Sequence, residues 1–293
     1  NRRVGLLAHA TGAGKTVTGM FCIREALQEG LHPIVVVPSK LLLQQWDAET
    51  RNTLGVRTML CGGGHSAWSG GLLQAAMEDD HPRVVIAIAN SAASPQFIKQ
   101  VRRYADRTLL VADEAHRLGS TKFRELLQSV PAAARLGLSA TPERAGDNEG
   151  TAALFEYFDR TVHTFGIKAA LDAGVLTNYE YHPSFVTLNE DEQEHYNRIT
   201  AKIRRLVAIN ARSGDSSSRD RLQQQLIARA RIIKNAAAKP AAAAENLASR
   251  YREGHRWLVY CDNREQVSDV RRILADRGIR SWEYFRGMEG DPD

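Results

Sequence analysis

The sequence has few of the residues that mark disulfide-rich, metal-binding or membrane-spanning proteins. Its 293 residues include three cysteines, Cys22, Cys61 and Cys261, which are isolated from one another and form no metal-ligand spacing. They are predicted to be free thiols, as expected for an intracellular, cytoplasmic location. No run of about twenty apolar residues occurs, and the first residues lack the pattern of a signal peptide, so neither a membrane span nor secretion is expected.

The composition is that of an ordinary globular chain with a modest excess of basic residues. At 293 residues and 43% hydrophobic content, the chain is long enough to bury one full core and part of a second. The net charge of +5 and a pI near 9.2 suit an anionic partner such as nucleic acid. A charge of this size is common, so it supports that partner only weakly.

Short apolar runs recur along the first half of the chain, each followed by a helical or loop segment. They predict strands at residues 4–8, 33–37, 84–88, 108–112 and 135–139, and a further strand at 57–61 that ends in the three glycines at 62–64. Strands that alternate with helices favour a parallel sheet covered by helices on both faces. The predicted fold class is therefore α/β.

A glycine-rich loop follows the first predicted strand and reads HATGAGKT. Gly12 and Gly14 would let successive N–H groups turn toward a phosphate, and Lys15 would bring an ammonium to the outer phosphates. Thr16 would give a hydroxyl to a magnesium ion. The expected cofactors are therefore ATP and Mg²⁺. The residues predicted to bind them are Thr11, Gly12, Ala13, Gly14, Lys15 and Thr16.

The loop departs from the usual phosphate-binding pattern at one position. That pattern has a glycine five residues before Gly14, where this chain has His9. The alternative interpretation is a glycine-rich turn ahead of a helix. The apolar run before the loop, with Val17, Met20 and Phe21 after it, favours the phosphate loop.

Two carboxylates, Asp113 and Glu114, end the predicted strand at 108–112. Unpaired charges are costly in a protein interior, whereas the carboxyl end of a parallel strand faces a ligand crevice. Asp113 is therefore expected to hold the magnesium shell, and Glu114 to take a proton from the attacking water. Either carboxylate alone has the alternative role of a helix N-cap.

These segments together resemble a known family. HATGAGKT (9–16), VVVPSKLLLQQW (35–46), DEAH (113–116) and LGLSATPER (136–144) occur in the order of motifs I, Ia, II and III of superfamily 2 helicases and translocases of the DEAH type. The residues in and around these motifs are similar to those of the XPB, UvsW and restriction-enzyme motor branch. The resemblance implies a RecA-like lobe that binds ATP and acts on nucleic acid.

The resemblance also implies a role for each motif. The residues expected to be catalytic are Lys15, Asp113, Glu114 and His116. Those expected to couple the nucleotide site to nucleic acid are Ser139, Ala140 and Thr141. The alternatives are a structural hydrogen bond for the histidine and an ordinary strand-ending turn for Ser-Ala-Thr-Pro.

Motif Ia and the turn after the strand at 84–88 are expected to contact a nucleic-acid backbone. Amides, hydroxyls and a positive charge at a helix start would hold a strand phosphate. The expected contacts are Pro38, Ser39, Lys40, Gln44, Asn90 and Ser91, the last two with a plain turn as the alternative. Leu41, Leu42 and Trp46 are predicted to be core residues rather than base-stacking groups.

The second half of the chain resembles the family less closely. Residues 187–192 predict a helix start, 213–218 a polar loop, and 257–261 and 281–285 two strands on either side of a helix through Val267, Val270, Ile273 and Leu274. The expected division is a first RecA-like lobe at 1–177, a helical connecting segment at 178–254, and the start of a second RecA-like lobe at 255–293.

Motifs V and VI of the family are not found in the sequence, so the chain is expected to be a fragment. Because the arginine that would stabilise the transition state is missing, we expect the fragment alone to hydrolyse ATP slowly. The predicted function is an ATP-driven helicase or translocase, with double-stranded DNA as the expected partner in repair or restriction. Two alternatives are a nucleotide-gated binding module without directional movement and an unrelated phosphate-loop kinase or transporter ATPase.

Overall fold

The computed structural model describes residues 3–79, 81–213 and 216–285. The described chain divides into two compact units, one at residues 3–179 and one at Glu180–Phe285. We call them the sheet unit and the helical unit, and each is described by itself. No helix within the described ranges has both the length and the apolar character that a membrane crossing requires.

The sheet unit is built on a seven-stranded sheet in which every strand pairing is parallel. Its strands are β1 (Arg3–His9), β2 (His32–Val37), β3 (Arg57–Cys61), β4 (Arg83–Ile88), β5 (Thr108–Asp113), β6 (Ala134–Ser139) and β7 (Thr161–Phe165). Their order across the sheet is β3-β4-β2-β5-β6-β1-β7. The six predicted strands are confirmed, and β7 is a strand that the sequence pattern did not predict.

Helices cover both faces of the sheet, as the alternation of strands and helices predicts. The helices of the sheet unit are α1 (Lys15–Gln28), α2 (Lys40–Leu54), α3 (Leu72–Glu78), α4 (Ala89–Ala92), α5 (Pro95–Val101), α6 (Arg124–Ser129), α7 (Asn148–Phe158) and α8 (Ile167–Asp172), with short 3-10 turns at Ala67–Gly70, Arg102–Arg107 and Ala115–Gly119. The side chains of β2, β4 and β5 alternate between the two faces of the sheet. Because helices cover both faces, these strands are almost entirely buried. The α/β fold class is confirmed.

Each face of the sheet has its own hydrophobic core. Helices α1 and α2 pack on one face through Met20, Ile23, Leu43 and Trp46. The other face is covered chiefly by α3, α5, α6 and α7, with side chains such as Phe97 and Phe158 fully buried. Cys61 belongs to this second core, where burial raises the pKa of its thiol to about 12. All three cysteines are free, as predicted.

The edge strand β7 pairs with β1 alone, with a register shift between Leu6 and Leu7. Its middle residues are exposed, and its sequence, TVHTF, has no apolar run that would distinguish it from a loop. The chain reaches it directly after α7 through Asp159, a non-glycine residue with φ of 67°. Strand pairing with β1, which is a long-range contact, therefore determines this element.

Gly137, in the middle of β6, has no room for a side chain. It faces Leu6 of β1 and Ala112 of β5 across the ladders. A Cβ at this position would clash with the Leu6 side chain and lie 3.3 Å from Ala115 Cβ. We expect Gly137→Ala to lower the free energy of unfolding by about 1–3 kcal/mol, because overpacking forces strand shifts in a filled core.

Urea denaturation checks the Gly137→Ala prediction, with Gly70→Ala as the matched control. Gly70 lies in a 3-10 turn where an added Cβ would meet nothing within 4 Å. A Gly137→Ala variant as stable as Gly70→Ala would show that β6 tolerates the added methyl group.

The helical unit contains four helices, α9 (Glu190–Ser213), α10 (Ser216–Lys234), α11 (Ala238–Arg250) and α12 (Arg264–Ala275). The predicted helix start is confirmed: Asn189 Oδ1 accepts from Glu192 N at 2.9 Å, and Glu192 Oε2 accepts from Asn189 N at 2.9 Å, a reciprocal capping box. The prediction of a polar loop at 213–218 is wrong at both ends, because Ser213 belongs to α9 and residues 216–218 belong to α10. Residues 214 and 215 lie outside the described residues.

The two strands predicted in the helical unit, at 257–261 and 281–285, are not formed in the structure. A strand requires a ladder partner, and neither run forms a β-ladder with another segment among the described residues. Leu258 and Tyr260 are therefore largely exposed. The helix predicted between the two runs is confirmed as α12, which packs Val270 and Leu274 against α11.

Candidate nucleotide and nucleic-acid site

The parallel sheet brings the predicted site residues to one edge. Because all seven strands run in the same direction, their carboxyl ends meet at the same side of the sheet. The phosphate loop follows β1, Ser139–Thr141 follow β6, and Asp113 and Glu114 end β5. The motif Ia residues follow β2, and Asn90 and Ser91 follow β4. The strand order therefore separates the residues predicted to bind nucleotide and metal or to act as coupling residues, at the ends of β5, β6 and β1, from those predicted to bind nucleic acid, after β2 and β4.

The phosphate loop contains two glycines in the left-handed conformation, and the helix that follows it has no side-chain cap. Gly12 and Gly14 have φ of 79° and 80°, a left-handed conformation that glycine adopts without strain. Helix α1 begins directly after Gly14, and no side chain caps its N-terminus. A Cβ at Gly14 would meet nothing within 4 Å, so the space beside the loop is free. The first N–H groups of α1 can therefore bind an anion.

Lys15 is almost completely buried within the loop. Its Nζ donates to the carbonyl oxygens of His9 at 3.1 Å and Ala10 at 3.3 Å. These two carbonyls hold the ammonium at the start of α1, where it is positioned to meet an incoming phosphate. Thr16 follows as the second residue of the helix and is half-buried.

Asp113 is buried at the end of β5 and both of its carboxylate oxygens are hydrogen-bonded. Oδ2 accepts from the indole Nε1 of Trp46 at 2.8 Å, and Oδ1 accepts from Glu114 N at 2.9 Å. Trp46 lies on α2, is completely buried and belongs to the core, as predicted. The hydrogen bond between Trp46 and Asp113 is a contact that no sequence pattern predicts, since 67 positions separate the two residues.

Glu114 is held in a strained conformation and lies within a short hydrogen-bonded network. Its φ of 49° is in the left-handed region, which costs a non-glycine residue about 1 kcal/mol or more. His116 Nδ1 lies 3.4 Å from Glu114 Oε2 and 3.1 Å from Ser139 Oγ. Ser139 Oγ in turn accepts from Thr141 N at 3.2 Å. The structure thus brings together His116 and the predicted coupling residues.

The surroundings of His116 favour its neutral form. Burial lowers its pKa, the Glu114 carboxylate opposes this shift, and the guanidinium groups of Arg117 and Arg144 lower the pKa further. A neutral imidazole carries one proton, so Nδ1 can donate to Glu114 or accept from the Ser139 hydroxyl, but not both at once. The contact therefore has two alternative hydrogen-bonding arrangements, one toward each partner.

The predicted nucleic-acid residues also come together. Ser39 caps α2 by accepting from Leu42 N at 3.4 Å, which leaves Lys40 at the first position of the helix. A Cβ at Gly63 would lie 3.2 Å from Lys40 Cγ, and one at Gly62 would clash with the Ser91 hydroxyl. The glycine turn after β3 therefore packs directly against two of the predicted phosphate contacts.

The remaining motif Ia residues are partly as expected. Gln44 is exposed on α2, and so is Asn90 at the start of α4. Leu42 packs against the core, in agreement with the prediction. The prediction that Leu41 is a core residue is wrong, because its side chain is 54% exposed on the solvent side of α2. Helical spacing places Leu41 on a different face from Leu43 and Trp46.

Comparison with known proteins identifies the sheet unit. The model of the family described as "Type III restriction enzyme, res subunit" matches residues 1–144, which contain the four motifs. The match covers just under half of the chain, and it agrees with the resemblance of those motifs to superfamily 2 helicases and translocases. The structural likeness to a solved helicase supports the same fold: the helicase domain of Hef from Pyrococcus furiosus aligns with a TM-score of 0.50 at 16% identity, covering 85% of this chain and 56% of that one.

Two relatives are similar to about two thirds of the chain. One, from Halobacterium salinarum and provisionally named DNA 3′–5′ helicase Rad25, is 28% identical over 205 residues, or 70% of this chain and 31% of the relative. DNA 3′–5′ translocase XPB2 of Sulfurisphaera tokodaii is 23% identical over 200 residues, or 68% of this chain and 40% of the relative. The match thus spans less than half of each relative's length.

An arginine brace in the helicase lobe supports the Asp-Glu-Ala-His turn. Arg144 Nη1 donates to the backbone carbonyl of His116, and Arg144 Nε donates to Asp147 Oδ2 at 2.8 Å. Asp147 Oδ1 also caps α7 by accepting from Gly150 N at 2.8 Å. Arg144 is the last residue of the LGLSATPER segment, but its partner can be identified only from the fold. This hydrogen bond from Arg144 holds the backbone of His116 in place.

Proposed function

We propose that this chain binds Mg²⁺·ATP, hydrolyses it and uses the cycle to move along double-stranded DNA. The observation that carries the proposal is the division of the sheet edge. The residues proposed to bind or sense the nucleotide lie at the ends of β5, β6 and β1, and those proposed to bind a nucleic-acid backbone follow β4 and β2. Helix α2, which begins with Lys40, meets the nucleotide side where Trp46 donates to Asp113 of β5. A change at one group can therefore be transmitted to the other over a single packed contact.

The residues of the phosphate loop fit the nucleotide. The uncapped start of α1 and the left-handed glycines 12 and 14 offer N–H donors to phosphate oxygens, and Lys15 adds a buried positive charge beside them. Thr11 and Ala13 complete the loop. A bound triphosphate would supply the phosphoanhydride bond whose hydrolysis drives the cycle.

The residues also fit a magnesium ion held mainly by phosphate and water. Among the described residues, no group of three or more histidine, cysteine or acidic side chains is arranged to hold a metal. Mg²⁺ at a nucleotide site usually needs only one or two protein oxygens, because phosphates and waters provide the others. We propose that the Thr16 hydroxyl and the Asp113 carboxylate, oriented by Trp46, are those oxygens.

Glu114 and its neighbours supply the proton chemistry of the proposal. Glu114 is only half-buried, so its carboxylate can reach a water at the strand mouth and accept its proton. His116 can bond either Glu114 or Ser139, and this choice would report the state of the nucleotide site to Ser139, Ala140 and Thr141. These three residues are the proposed coupling segment.

Lys40, Ser39, Asn90 and Ser91 form the proposed track for a nucleic-acid backbone, with Pro38 and Gln44 beside them. They offer hydroxyls, an amide and one ammonium, which are groups that bind phosphates rather than bases. Sequence selectivity should therefore be low and binding should weaken steeply with salt. We propose DNA because both similar relatives carry DNA in their names.

The division at residues 177 and 254, with a second lobe starting at 255, is part of the same proposal.

The test is ATP hydrolysis and Mg²⁺·ADP binding by the 293-residue chain, with duplex DNA, duplex RNA or neither present. We expect Mg²⁺·ADP binding that Lys15→Ala weakens by about 100-fold or more, because the main phosphate cation is lost. We expect duplex DNA to stimulate hydrolysis and Lys40→Ala to raise the DNA concentration that this requires. Lys99→Ala, on α5, is the matched control. Hydrolysis that is indifferent to every nucleic acid would contradict the DNA part of the proposal.

A further inference from the structure

His9 occupies the position where phosphate loops usually have a glycine, and its side chain is specifically held. The ring is about nine-tenths buried at the end of β1, and its Nε2 lies 2.8 Å from Nδ1 of His163 on β7. His9 also contributes its carbonyl oxygen, at 3.1 Å, to Lys15 Nζ. One residue therefore joins the catalytic lysine to the edge strand.

The segment that begins with β7 runs along the phosphate loop and contacts it at three points. His163 bonds the ring of His9, the carbonyl of Phe165 accepts from Ala10 N at 2.9 Å, and a Cβ at Gly12 would lie 3.2 Å from Leu176 Cδ2. The loop is thus supported from one side by His163 and Phe165 of β7 and, beyond the end of the β1–β7 ladder, by Leu176.

The direction of the histidine hydrogen bond follows from the other nitrogen of His9. Nδ1 of His9 is buried and has no hydrogen-bond partner among the described residues. A buried N–H without an acceptor is less tolerable than an unused lone pair, so the proton belongs on Nε2. His9 therefore donates to Nδ1 of His163, and His163 must keep Nδ1 unprotonated to accept.

We infer that His9 and His163 are positioning residues for the phosphate loop: His163 fixes the ring of His9, and the backbone of His9 fixes the ammonium of Lys15. The inference rests on the proposed nucleotide function of this loop. Without His163, the ring of His9 would be larger than the usual glycine and would have no hydrogen-bond partner for its Nε2. Anchored by β7, it gives the loop a fixed start that glycine would leave mobile.

The charges around the pair agree with a neutral hydrogen bond. The titratable groups that face His9 are His163 on β7 and Lys15 on α1; burial lowers the pKa of His9, and these two groups lower it further. Protonation of His163 would replace its acceptor nitrogen with a donor and break the bond. Exposure of His163 to solvent lets it be replaced without opening the core.

The test compares two replacements of His163 by Mg²⁺·ADP binding. Asparagine places its Oδ1 near the position of the histidine Nδ1 and remains an acceptor, whereas leucine keeps the size without an acceptor. We expect His163→Leu to weaken Mg²⁺·ADP binding about fivefold, the worth of one ordinary hydrogen bond, and His163→Asn to restore it. Thr164→Ala, next to it on β7, is the matched surface control. Equal affinities for the leucine and asparagine variants would overturn the inference.

A double variant separates positioning from general support. In a His9→Gly background, His163→Leu should no longer weaken nucleotide binding, because its partner is gone. An undiminished loss there would refute the coupling.

The same experiments distinguish this inference from the proposed function. If neither the parent chain nor Lys15→Ala binds Mg²⁺·ADP, the nucleotide function fails and the histidine pair loses its stated purpose. If the parent binds and Lys15→Ala does not, while all His163 variants bind equally well, the function stands and only the positioning role is wrong.

Discussion

Glu114→Gln is expected to lower the rate of ATP hydrolysis about 100-fold or more, because glutamine cannot accept the proton of the attacking water. Glutamine keeps the size and one acceptor oxygen of glutamate, so Mg²⁺·ADP binding should remain within about twofold of the parent value, as for a group that acts mainly in the transition state. Steady-state phosphate release at saturating Mg²⁺·ATP, with duplex DNA present, measures the rate. Calorimetric titration with Mg²⁺·ADP measures the binding.

Glu125→Gln is the matched control for this substitution, because Glu125 lies on α6 away from the strand mouth and is exposed. A second control addresses the network around Glu114. His116→Ala removes Nδ1 and with it the contacts to both Glu114 and Ser139, so it should reduce the stimulation by DNA more than the basal rate. If Glu114→Gln lowers binding and turnover together, the carboxylate supports the nucleotide site rather than the chemistry.

The strands and the main site residues could be predicted because their signals are local. The six predicted strands are runs of five residues, most of them apolar, and the phosphate loop and Asp113-Glu114 each lie directly at the end of such a run. A parallel sheet then requires those ends to meet at one edge, so the site follows from the fold class. The capping box at Asn189 and Glu192 is local in the same way, and the start of α9 was predicted for that reason.

The remaining features depend on contacts between distant residues or on neighbours that the sequence pattern does not reveal. β7 is a short, exposed run that becomes a strand only by pairing with β1, and Trp46 meets Asp113 across 67 positions. The runs at 257–261 and 281–285 have strand-like composition but no ladder partner among the described residues, and propensity alone does not make a strand. The exposure of Leu41 has the same cause in a helix: composition identifies an apolar residue, but only the packing of α2 decides its face.

Trp46→Ala is expected to produce the largest loss of stability in the sheet unit. The side chain is fully buried between α1 and the sheet, where its ring lies close enough to Gly19 that an added Cβ would be 2.9 Å from Trp46 Cη2. Removal leaves a cavity and an unpaired buried carboxylate oxygen, so the free energy of unfolding should fall by about 3–5 kcal/mol. Urea denaturation without nucleotide measures this loss.

Trp46→Phe separates packing from the hydrogen bond to Asp113. Phenylalanine fills much of the same space but has no N–H, so the unfolding free energy should fall by only about 1.5–3 kcal/mol, the range for a hydrogen bond to a charged group. The stabilisation that Mg²⁺·ADP adds by mass action should shrink as well, because the carboxylate proposed to hold the metal loses its orientation. Trp68→Phe is the matched control: Trp68 is buried against Phe97 on the other face of the sheet and does not contact Asp113. A Trp46→Phe variant that keeps the full stabilisation by Mg²⁺·ADP would show that Asp113 is oriented without the indole, and that the contact between α2 and β5 serves the core alone.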